Sequence, residues 1–266
     1  MSYHTDQLGR QVHVNRFARR IVSIVPSQTE LLFDLGLDEQ VIGITKFCRH
    51  PHQWYRSKTR VGGTKQLHLD AIRTLAPDLI LANKEENDRE QLESLMQEFP
   101  VWVSDIHTLA DAEDMIRGVG HLTGTEDRAE SITREINRRF SSESGQRAYG
   151  EHPLRVAYLI WRNPWMAAGT DTFIDAMLRA CGLENCLAAY SRYPVIEPAE
   201  LTPERCDLIL LSSEPFPFKE KHATELRRLT GGIRTHFVDG EIFSWYGSRL
   251  LQAPAYFSRL WREITG

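Results

Sequence analysis

Residues 19–37 read RRIVSIVPSQTELLFDLGL, and they join a short apolar strand directly to an amphipathic helix. The β-branched run RIVSIV is typical of a buried strand. Ser27 and Glu30 have the spacing of a capping box, so we predict that they start the helix, which Gly36 ends. A strand that turns into a helix without a loop places the helix N-terminus at the carboxyl end of that strand, where open α/β sheets hold ligands.

The same alternation continues through the first half of the chain. VIGIT, DLILAN and VWVSD are predicted strands, and helices fit between them at about residues 68–75 and 87–98. Asn87 with Glu90 has the spacing of a helix cap. Strands that alternate with helices predict βαβ units and a mostly parallel sheet. Residues 111–145 then show helical periodicity without a strand signal, and Gly124 is a candidate break.

A second α/β series repeats the first. LRVAYLI corresponds to RRIVSIV, and PAELTPERCDLILLS corresponds to LDAIRTLAPDLILAN, in the same order. The stretch SSESGQRAYGEHP before the second series is a predicted turn. We therefore predict an α/β protein of two related lobes with mostly parallel sheets, joined by a long backbone α-helix. The predicted bounds are 1–110 for the N-terminal lobe, 111–145 for the connecting helix region and 146–266 for the C-terminal lobe.

Bulk properties exclude several classes of protein. The net charge of -4, without a long basic run, argues against nucleic-acid binding. No apolar run reaches the ~20 residues needed to span a bilayer, so we expect no membrane insertion. The first twenty residues contain no apolar h-region. The sequence therefore predicts a cytoplasmic protein if Met1 is the native start, or an exported one whose signal was removed. We expect a monomer.

Neither zinc nor catalytic motifs are recognisable. The four cysteines form no C-x-x-C pair, so we expect no structural zinc site. A soft metal site is conceivable only if the fold gathered Cys48, His50, Asp105 and His107, and we predict no metal site. No nucleophile elbow, P-loop or G-x-G-x-x-G is present, so we predict that the protein is not an enzyme. Three cysteines among apolar residues are predicted core or near-core thiols: Cys181, Cys186 and Cys206.

Four stretches resemble the class III, helical-backbone substrate-binding proteins of ABC importers, the Fe-siderophore and cobalamin type. RIVSIVPSQTELLFDLGL is similar to the family's opening strand–Pro–Ser/Ala–x–Thr–Glu segment, and LDAIRTLAPDLILAN to its L-E-x-I-x-x-L-x-P-D-L-V-I segment. NPWMAAGTDTFIDAMLRACGLEN and ELTPERCDLILLS match more loosely. The cobalamin-binding branch is the most similar. The resemblance implies a ligand cleft between two similar lobes, no intrinsic cofactor, and delivery of a corrinoid, ferric siderophore or haem to ABC permease subunits from the periplasm or cell surface.

The segments that follow the strands should line that cleft: Thr45–Pro51, Val61–Lys65, Asn83–Asp88, Trp161–Gly169, Ser212–Phe218 and Phe243–Arg249. Aromatic side chains in such loops suggest a flat apolar ligand, and cations suggest an anionic one. Glu85, Glu86 and Asp88 offset part of that positive charge. The predicted ligand-binding residues are Phe47, Arg49, Lys65, Lys84, Trp161, Arg162, Trp165, Phe216, Trp245, Tyr246 and Arg249.

Asp70 and Glu200 occupy matching places in the internal repeat, each near the start of a predicted short helix. In the resembled family, acids at these places meet arginines of the two permease subunits, which implies a docking role. Asp70 departs from the family's usual glutamate and is one methylene shorter. The alternative is a pair of ordinary helix N-terminal acids, stabilised by the dipole. For the whole chain, the alternatives are a cytosolic ligand-binding or chaperone-like protein on the same fold, or a metal-dependent enzyme.

Overall fold

The computed structural model describes residues 2–144 and 153–266, which divide into two compact units. Each unit contains its own five-stranded sheet. The predicted boundary at 145/146 lies outside the described residues, and so does most of the predicted turn, whose residues 141–144 continue a helix. The first unit comprises Met1–Ile106, Ala110–Ile136 and Tyr246–Arg249, and the second comprises His107–Leu109, Asn137–Trp245 and Leu250–Gly266.

The strands of the first unit are β1 (Ser2–Thr5), β2 (Gln11–Val14), β3 (Ile21–Ser23), β4 (Val41–Ile44), β5 (Thr59–Arg60), β6 (Leu79–Asn83) and β7 (Val101–Ser104). The last five form an all-parallel sheet in the order β5-β4-β3-β6-β7. The four predicted strands are confirmed as β3, β4, β6 and β7. Strand β5 and the antiparallel β1–β2 hairpin were not predicted, because each is short and lacks a continuous apolar run.

The helices that precede residue 145 are α1 (Pro26–Asp34), α2 (His52–Ser57), α3 (Leu69–Leu75), α4 (Arg89–Met96), α5 (Leu109–Thr123) and α6 (Glu126–Ser144). Strand residues such as Val22, Ile80 and Val103 are fully buried and pack with Leu92 and Leu95 of α4. Parallel strands covered by helices are buried on both faces, which explains their nearly continuous apolar sequences.

Both predicted helix caps are wrong. Helix α1 follows Val25, whose side chain cannot accept a hydrogen bond as a cap. It begins with Pro26, which suits the first helical position because a backbone N–H there would have no partner inside the helix, and proline lacks that N–H. Glu30 instead pairs with an arginine of the first unit, as described below. In α4 the N-cap is Asp88, whose Oδ1 accepts the Gln91 backbone N–H at 3.1 Å, so Asn87 and Glu90 do not form the cap.

The predicted helical region over 111–145 forms two helices, α5 and α6, with the break at Gly124. Gly124 has φ +71°, which favours glycine, and a Cβ there would lie 2.9 Å from the Phe17 ring. Helix α6 has 19 residues and is the long helix of the described chain. Its residues through Ile136 belong to the first unit, and those after it belong to the second.

The remaining strands are β8 (Arg155–Trp161), β9 (Met166–Ala167), β10 (Glu184–Asn185), β11 (Leu208–Ser212) and β12 (Arg234–Val238). They form the second sheet in the order β10-β8-β11-β12, with parallel pairing, and only β9 runs antiparallel to β8. The helices are α7 (Phe173–Cys181), α8 (Glu220–Leu229), α9 (Gly240–Ser244) and α10 (Ala253–Thr265). The predicted fold class, two α/β units with mostly parallel sheets, is confirmed.

Candidate functional site

Two buried asparagines hold the loop Asn83–Asp88, which follows β6. The Asn83 Oδ1 accepts the backbone N–H groups of Glu85 at 2.8 Å and Glu86 at 3.0 Å. The Asn87 Oδ1 accepts the Asn83 backbone N–H at 2.8 Å, and its Nδ2 donates to two backbone carbonyls. Because both amide groups are satisfied inside the fold, the loop has a fixed shape, and its charged side chains are presented from a rigid base.

Two of the predicted ligand-binding cations of the first unit have protein partners. The Lys65 Nζ donates to the backbone carbonyls of Glu85 at 2.7 Å and Asn87 at 3.0 Å. The Lys84 Nζ forms an ion pair with Asp105 at 2.6 Å. Arg49 is exposed on the loop after β4. The positive charge of these loops is therefore smaller than the sequence indicates.

Phe47 presents an exposed aromatic ring on the loop after β4. Its side chain is 47% exposed, and the Lys46 Nζ lies 5.2 Å from its ring centroid. The next residue, Cys48, is fully buried and anchors the loop, since its Sγ lies 3.1 Å from the Thr29 Oγ1 and 3.2 Å from the Thr45 Oγ1. Burial raises the pKa of the Cys48 thiol, which keeps it protonated and unsuited to bind a metal.

The segment Tyr246–Arg249 contributes two buried polar side chains to the first unit. The Arg249 guanidinium forms a bidentate ion pair with Glu30, at 2.9 Å and 2.7 Å. Burial raises the pKa of Glu30, and the hydrogen bonds from Arg249 oppose that shift. The Tyr246 hydroxyl donates to a Glu86 carboxylate oxygen at 2.5 Å. Tyr246 and Arg249 were predicted to contact the ligand, but both are buried and already bound by acids.

An aromatic cluster of five rings lies at the carboxyl ends of β8 and β11 in the second unit. Phe216 lies at its centre, with its ring centroid 5.6 Å from that of Trp161 and 4.9 Å from that of Phe218. Trp165 lies nearly parallel to Phe218 at 6.1 Å, and the His222 ring closes the cluster 5.2 Å from Phe216. Trp161 is 40% exposed, so it is the ring of the cluster that offers a free aromatic surface.

Arg162 supports this cluster and is not a free cation. Its guanidinium forms a bidentate ion pair with Glu225, at 3.0 Å and 2.9 Å, and lies 5.3 Å from the Trp165 ring centroid. The same hydrogen bonds hold the pKa of the Glu225 carboxyl below its usual range. Since Glu225 is on α8, the pair connects the loop after β8 to that helix and fixes the orientation of Trp165.

Trp245 is bound by an acid that the sequence did not single out. Its indole Nε1 donates to the Glu214 carboxylate at 2.7 Å, and the Ser244 hydroxyl donates to the same oxygen at 3.4 Å. Burial raises the pKa of Glu214, and the charge of Glu241 adds to the effect. Trp245 itself is only 7% exposed. The fold therefore holds Trp245 by a buried hydrogen bond, and its ligand contact stays a prediction.

The residues considered for a soft metal site each have other partners. Cys48 contacts two threonine hydroxyls, Asp105 binds Lys84, and the His107 Nδ1 lies 3.2 Å from a carboxylate oxygen of Asp171. Within residues 2–144 and 153–266, no group of three or more His, Cys, Asp or Glu side chains is placed to hold a metal ion. The predicted core cysteines are confirmed, with Cys181 and Cys206 buried and Cys186 half-buried.

The two proposed docking acids lie in different local settings. Asp70 is on the first turn of α3, with a fully exposed side chain that pairs with Arg73 at 3.0 Å, and Arg73 also binds Glu98 at 2.8 Å. Glu200 is exposed in a 3₁₀ helix of three residues, Pro198–Glu200, so the short helix predicted at this place is a single turn. No ion pair of Glu200 is found among the described residues.

The sequence analysis did not identify the acids that bind Arg249 and Trp245 in the structure. Glu30 was interpreted as a helix cap, although its motif gave no signal that an arginine some 200 residues later would reach it. Glu214 is the lone acid in the loop sequence SSEPFPF, and an isolated acid among aromatic residues was the available signal. Each partner lies far along the chain, so only the folded structure identifies the pairs.

The chain matches a family model over residues 21–229, and the description of that model is "Periplasmic binding protein". Among curated relatives, the vitamin B12-binding protein of Pectobacterium atrosepticum is 25% identical over 241 residues, which cover 88% of this chain and 85% of the relative.

Solved structures give the same fold. The periplasmic vitamin B12-binding protein of Vibrio cholerae superposes with a TM-score of 0.77 at 20% identity, covering 94% of this chain and 99% of that protein. A periplasmic heme-binding protein of Roseiflexus sp. RS-1, in its apo form, gives a TM-score of 0.77 at 20% identity and covers 91% of this chain and 98% of its own. In the described parts of this chain, no helix combines the length and apolarity that crossing a membrane requires.

Proposed function

Because the chain belongs to the periplasmic binding protein family, we propose that it is the substrate-binding protein of an ABC importer and that its cargo is a corrinoid. The curated relatives that bind vitamin B12 support this ligand class. Ferric siderophores and haem are the competing cargoes, since structural relatives bind heme and belong to an Fe3+-hydroxamate transport system. The protein acts by binding and release and carries no reaction of its own.

One observation carries the proposal. Each unit holds an exposed aromatic ring at the carboxyl end of its sheet, Phe47 on the anchored loop after β4 and Trp161 as the last residue of β8. Large exposed rings cost solvation free energy unless something covers them, and a flat macrocycle with apolar faces is a suitable cover. The remaining predicted aromatic contacts are half-buried or buried, so we assign the ligand-facing role to these two rings first.

The charge of the loops favours an uncharged, amide-bearing ligand over a polyanion. Of the five cations predicted to bind ligand, three are in ion pairs with acids: Lys84, Arg162 and Arg249. Lys65 donates to two backbone carbonyls. The fifth cation, Arg49, is exposed on the loop after β4. A ferric catecholate needs several free cations, whereas the amide groups of a corrinoid need hydrogen-bond partners.

Partner and compartment follow from the same proposal. The partner is the ABC permease, with Asp70 and Glu200 as the docking acids, and the place of action is the periplasm or the cell surface. The competing proposal, a cytosolic ligand-binding protein, shares the fold and differs in compartment. Fractionation of source cells with an antibody to this chain separates the two, since only the exported protein appears in the periplasmic or surface fraction.

Absorbance titration of the purified protein tests the cargo. Cyanocobalamin, cobinamide, haemin and a ferric hydroxamate are added separately, and equilibrium dialysis gives each dissociation constant. We expect the two corrinoids to bind at least about a hundredfold more tightly than haemin, a difference of about 2.7 kcal/mol. Tighter binding of haemin or of the ferric hydroxamate would contradict the corrinoid assignment. Failure of all four ligands to bind would contradict the proposed function itself.

A further inference from the structure

Glu214 is the one acid in the sequence of the loop Ser212–Phe218, two residues before Phe216 at the centre of the aromatic cluster. Its side chain is half-buried, and its Oε1 accepts the Trp245 indole N–H at 2.7 Å. Trp245 is therefore tied to Glu214 by a hydrogen bond, and Phe216 is tied to it by the chain. A change in the charge of this carboxyl acts on the surroundings of both rings.

The backbone of this loop is held from two sides. The Ser212 hydroxyl accepts the Tyr158 hydroxyl at 3.1 Å and donates to the Glu214 carbonyl. The Gly240 N–H at the start of α9 donates to the Ser213 hydroxyl at 2.9 Å. A Cβ on Gly240 would lie 2.8 Å from the Glu214 Cγ, so glycine allows α9 to pack directly on this side chain. The fold therefore restrains the carboxyl in its place, whether or not it carries a charge.

The surroundings of the Glu214 carboxyl disfavour its charged form. Its hydrogen-bond donors are neutral, and the Ser244 hydroxyl, 3.4 Å away, has a single hydrogen and also lies 2.8 Å from the Gly240 carbonyl. The charged groups that act most strongly on the carboxyl, among the residues that the structure describes, are the acids Glu241 and Asp239. Burial raises the pKa of Glu214, and these like charges add to the shift.

A ligand that covers the aromatic cluster takes away water that still reaches this carboxyl. Trp161 is 40% exposed, and its ring centroid lies 5.6 Å from that of Phe216 on the Glu214 loop. Since Glu214 is only half-buried, a ligand stacked on these rings completes its burial. Further burial disfavours the carboxylate, so the ligand-bound protein holds the proton more tightly than the free protein does. By linkage, affinity then falls as the pH rises.

We propose that Glu214 is a positioning residue of the second unit that makes ligand binding depend on pH, because the ligand binds best when this carboxyl carries its proton. The inference rests on the proposed function and deepens it. Protonated Glu214 keeps a carbonyl oxygen that accepts the Trp245 indole N–H, so the rings keep their places in acid. At higher pH the ligand has to bury a charge. For one proton, the affinity falls by at most about tenfold per pH unit.

The other titratable side chains around the loop predict a different pH dependence. The His222 ring centroid lies 5.2 Å from that of Phe216, and burial lowers the pKa of His222. Its protonation in acid places a cation in the aromatic cluster and weakens the binding of an apolar ligand, which is opposite to the direction expected from Glu214. The phenols of Tyr158 and Tyr256 stay neutral, since burial raises the pKa of both.

The experiment measures the dissociation constant of cyanocobalamin by calorimetry between pH 5 and pH 8. For wild type we expect a rise of at least about threefold over this range, which corresponds to a shift of about half a pKa unit on binding. Glu214→Gln keeps an acceptor for the indole and should bind with the acid-pH affinity of wild type throughout. Glu241→Gln removes a like charge and should move the rise to lower pH. Glu184→Gln, at an exposed acid of β10, is the matched control and should leave the wild-type profile unchanged.

Proton NMR of the Trp245 indole N–H gives a readout that needs no ligand. The signal is identified by its loss in Trp245→Phe. Its chemical shift should change with a midpoint above the ordinary glutamate pKa of about 4.3, because the indole donates to Glu214. Added cyanocobalamin should move this midpoint to higher pH, and Glu214→Gln should abolish the titration.

A pH dependence of binding that persists in Glu214→Gln would overturn the proposal, since another group, such as His222, would then cause it. So would an affinity that stays constant or rises with pH in wild type, or an indole midpoint that cyanocobalamin does not move. If none of the four ligands of the absorbance titration binds at any pH, the proposed function fails and this inference fails with it. Binding of cyanocobalamin without the expected pH dependence overturns the inference alone.

Discussion

The two units place candidate residues at the same edge of similar sheets, yet they hold them by different forces. In the first unit the holding contacts are polar, as in the Glu30–Arg249 ion pair and the amide bonds of Asn83. In the second unit they are mostly ring contacts around Phe216, with a single ion pair behind Trp165. Buried ion pairs depend on both partners, whereas an aromatic cluster loses its contacts gradually. The first unit should therefore be more sensitive to single charge removals.

The same comparison separates the two tryptophans predicted to bind ligand. Trp161 is 40% exposed at the edge of the aromatic cluster, whereas Trp245 is 7% exposed and hydrogen-bonded to Glu214. Two tryptophans predicted for the same role therefore differ in how much of each ring the fold leaves accessible to a ligand.

The largest effect is expected for Trp245→Ala. Removing a buried tryptophan leaves a cavity and takes the indole N–H away from Glu214, and we expect a loss of about 3–5 kcal/mol in the free energy of unfolding. Urea denaturation followed by circular dichroism measures it. Trp161→Ala is the matched control, because an exposed ring of the same size should cost less than about 1 kcal/mol. Equal losses in the two variants would mean that the assigned burial is wrong.

Next in size is Arg249→Ala, which tests the polar frame of the first unit. The largely buried carboxylate of Glu30 then loses its arginine, and breaking such a pair costs about 3 kcal/mol. Chemical denaturation of Arg249→Ala and of the double variant Glu30→Gln with Arg249→Met gives the difference. The double variant should recover most of the stability. Arg49→Ala, at an exposed arginine, should change it little.

If the double variant does not recover the free energy of unfolding, Arg249 stabilises the fold through contacts other than the one with Glu30. A loss below about 1 kcal/mol in Arg249→Ala would show that the pair behaves as a surface ion pair. Either result would weaken the contrast between the polar first unit and the aromatic second unit.

The fold was predictable because its signals are local and repeated. Apolar strands such as β6 and β11, the helix stop at Gly36 with φ +86°, and the break at Gly124 all follow from neighbouring residues. The caps were predicted wrongly for a related reason. Ser27 and Glu30 match a local motif, but a tertiary partner, Arg249, binds the carboxylate, and Pro26 is sufficient to begin the helix.

The candidate site was less predictable, because it depends on which side chains find partners. Sequence position indicated correctly that aromatic and basic residues follow the strands. It did not indicate that Arg162 would be paired with Glu225 on α8, or that Tyr246 would donate to Glu86, 160 residues away. Such pairs form only when the sheet order brings distant loops together.

Trp161→Ala should weaken corrinoid binding by about 1–3 kcal/mol, by analogy with the loss of a stacked base, and leave stability nearly unchanged. Isothermal titration calorimetry with cyanocobalamin measures it. Phe237→Ala removes an exposed ring from β12 of the same unit and is the control. If both variants bind like wild type, Trp161 does not contact the ligand, and the exposed ring of the second unit needs another explanation.

The smallest expected effect is a pH dependence of the free energy of unfolding, which comes from the Glu214 carboxyl. Burial raises the pKa of this carboxyl, with the charge of Glu241 as the next cause. A raised pKa means that the folded protein binds the proton more tightly than the unfolded chain does. The stabilisation from this proton is complete below the unfolded pKa of about 4.3, and it is lost as pH rises through the folded pKa.

Glu214→Gln keeps an acceptor for the Trp245 indole and removes the titration. The unfolding free energies of variant and wild type should therefore match near pH 4 and diverge in favour of the variant as the pH rises to 8. Paired urea titrations across that range measure the difference, with Glu241→Gln as a second variant that lowers the Glu214 pKa without removing its hydrogen bond. A variant that loses stability relative to wild type as pH rises would show that the charged carboxylate stabilises Trp245, against the direction that burial sets.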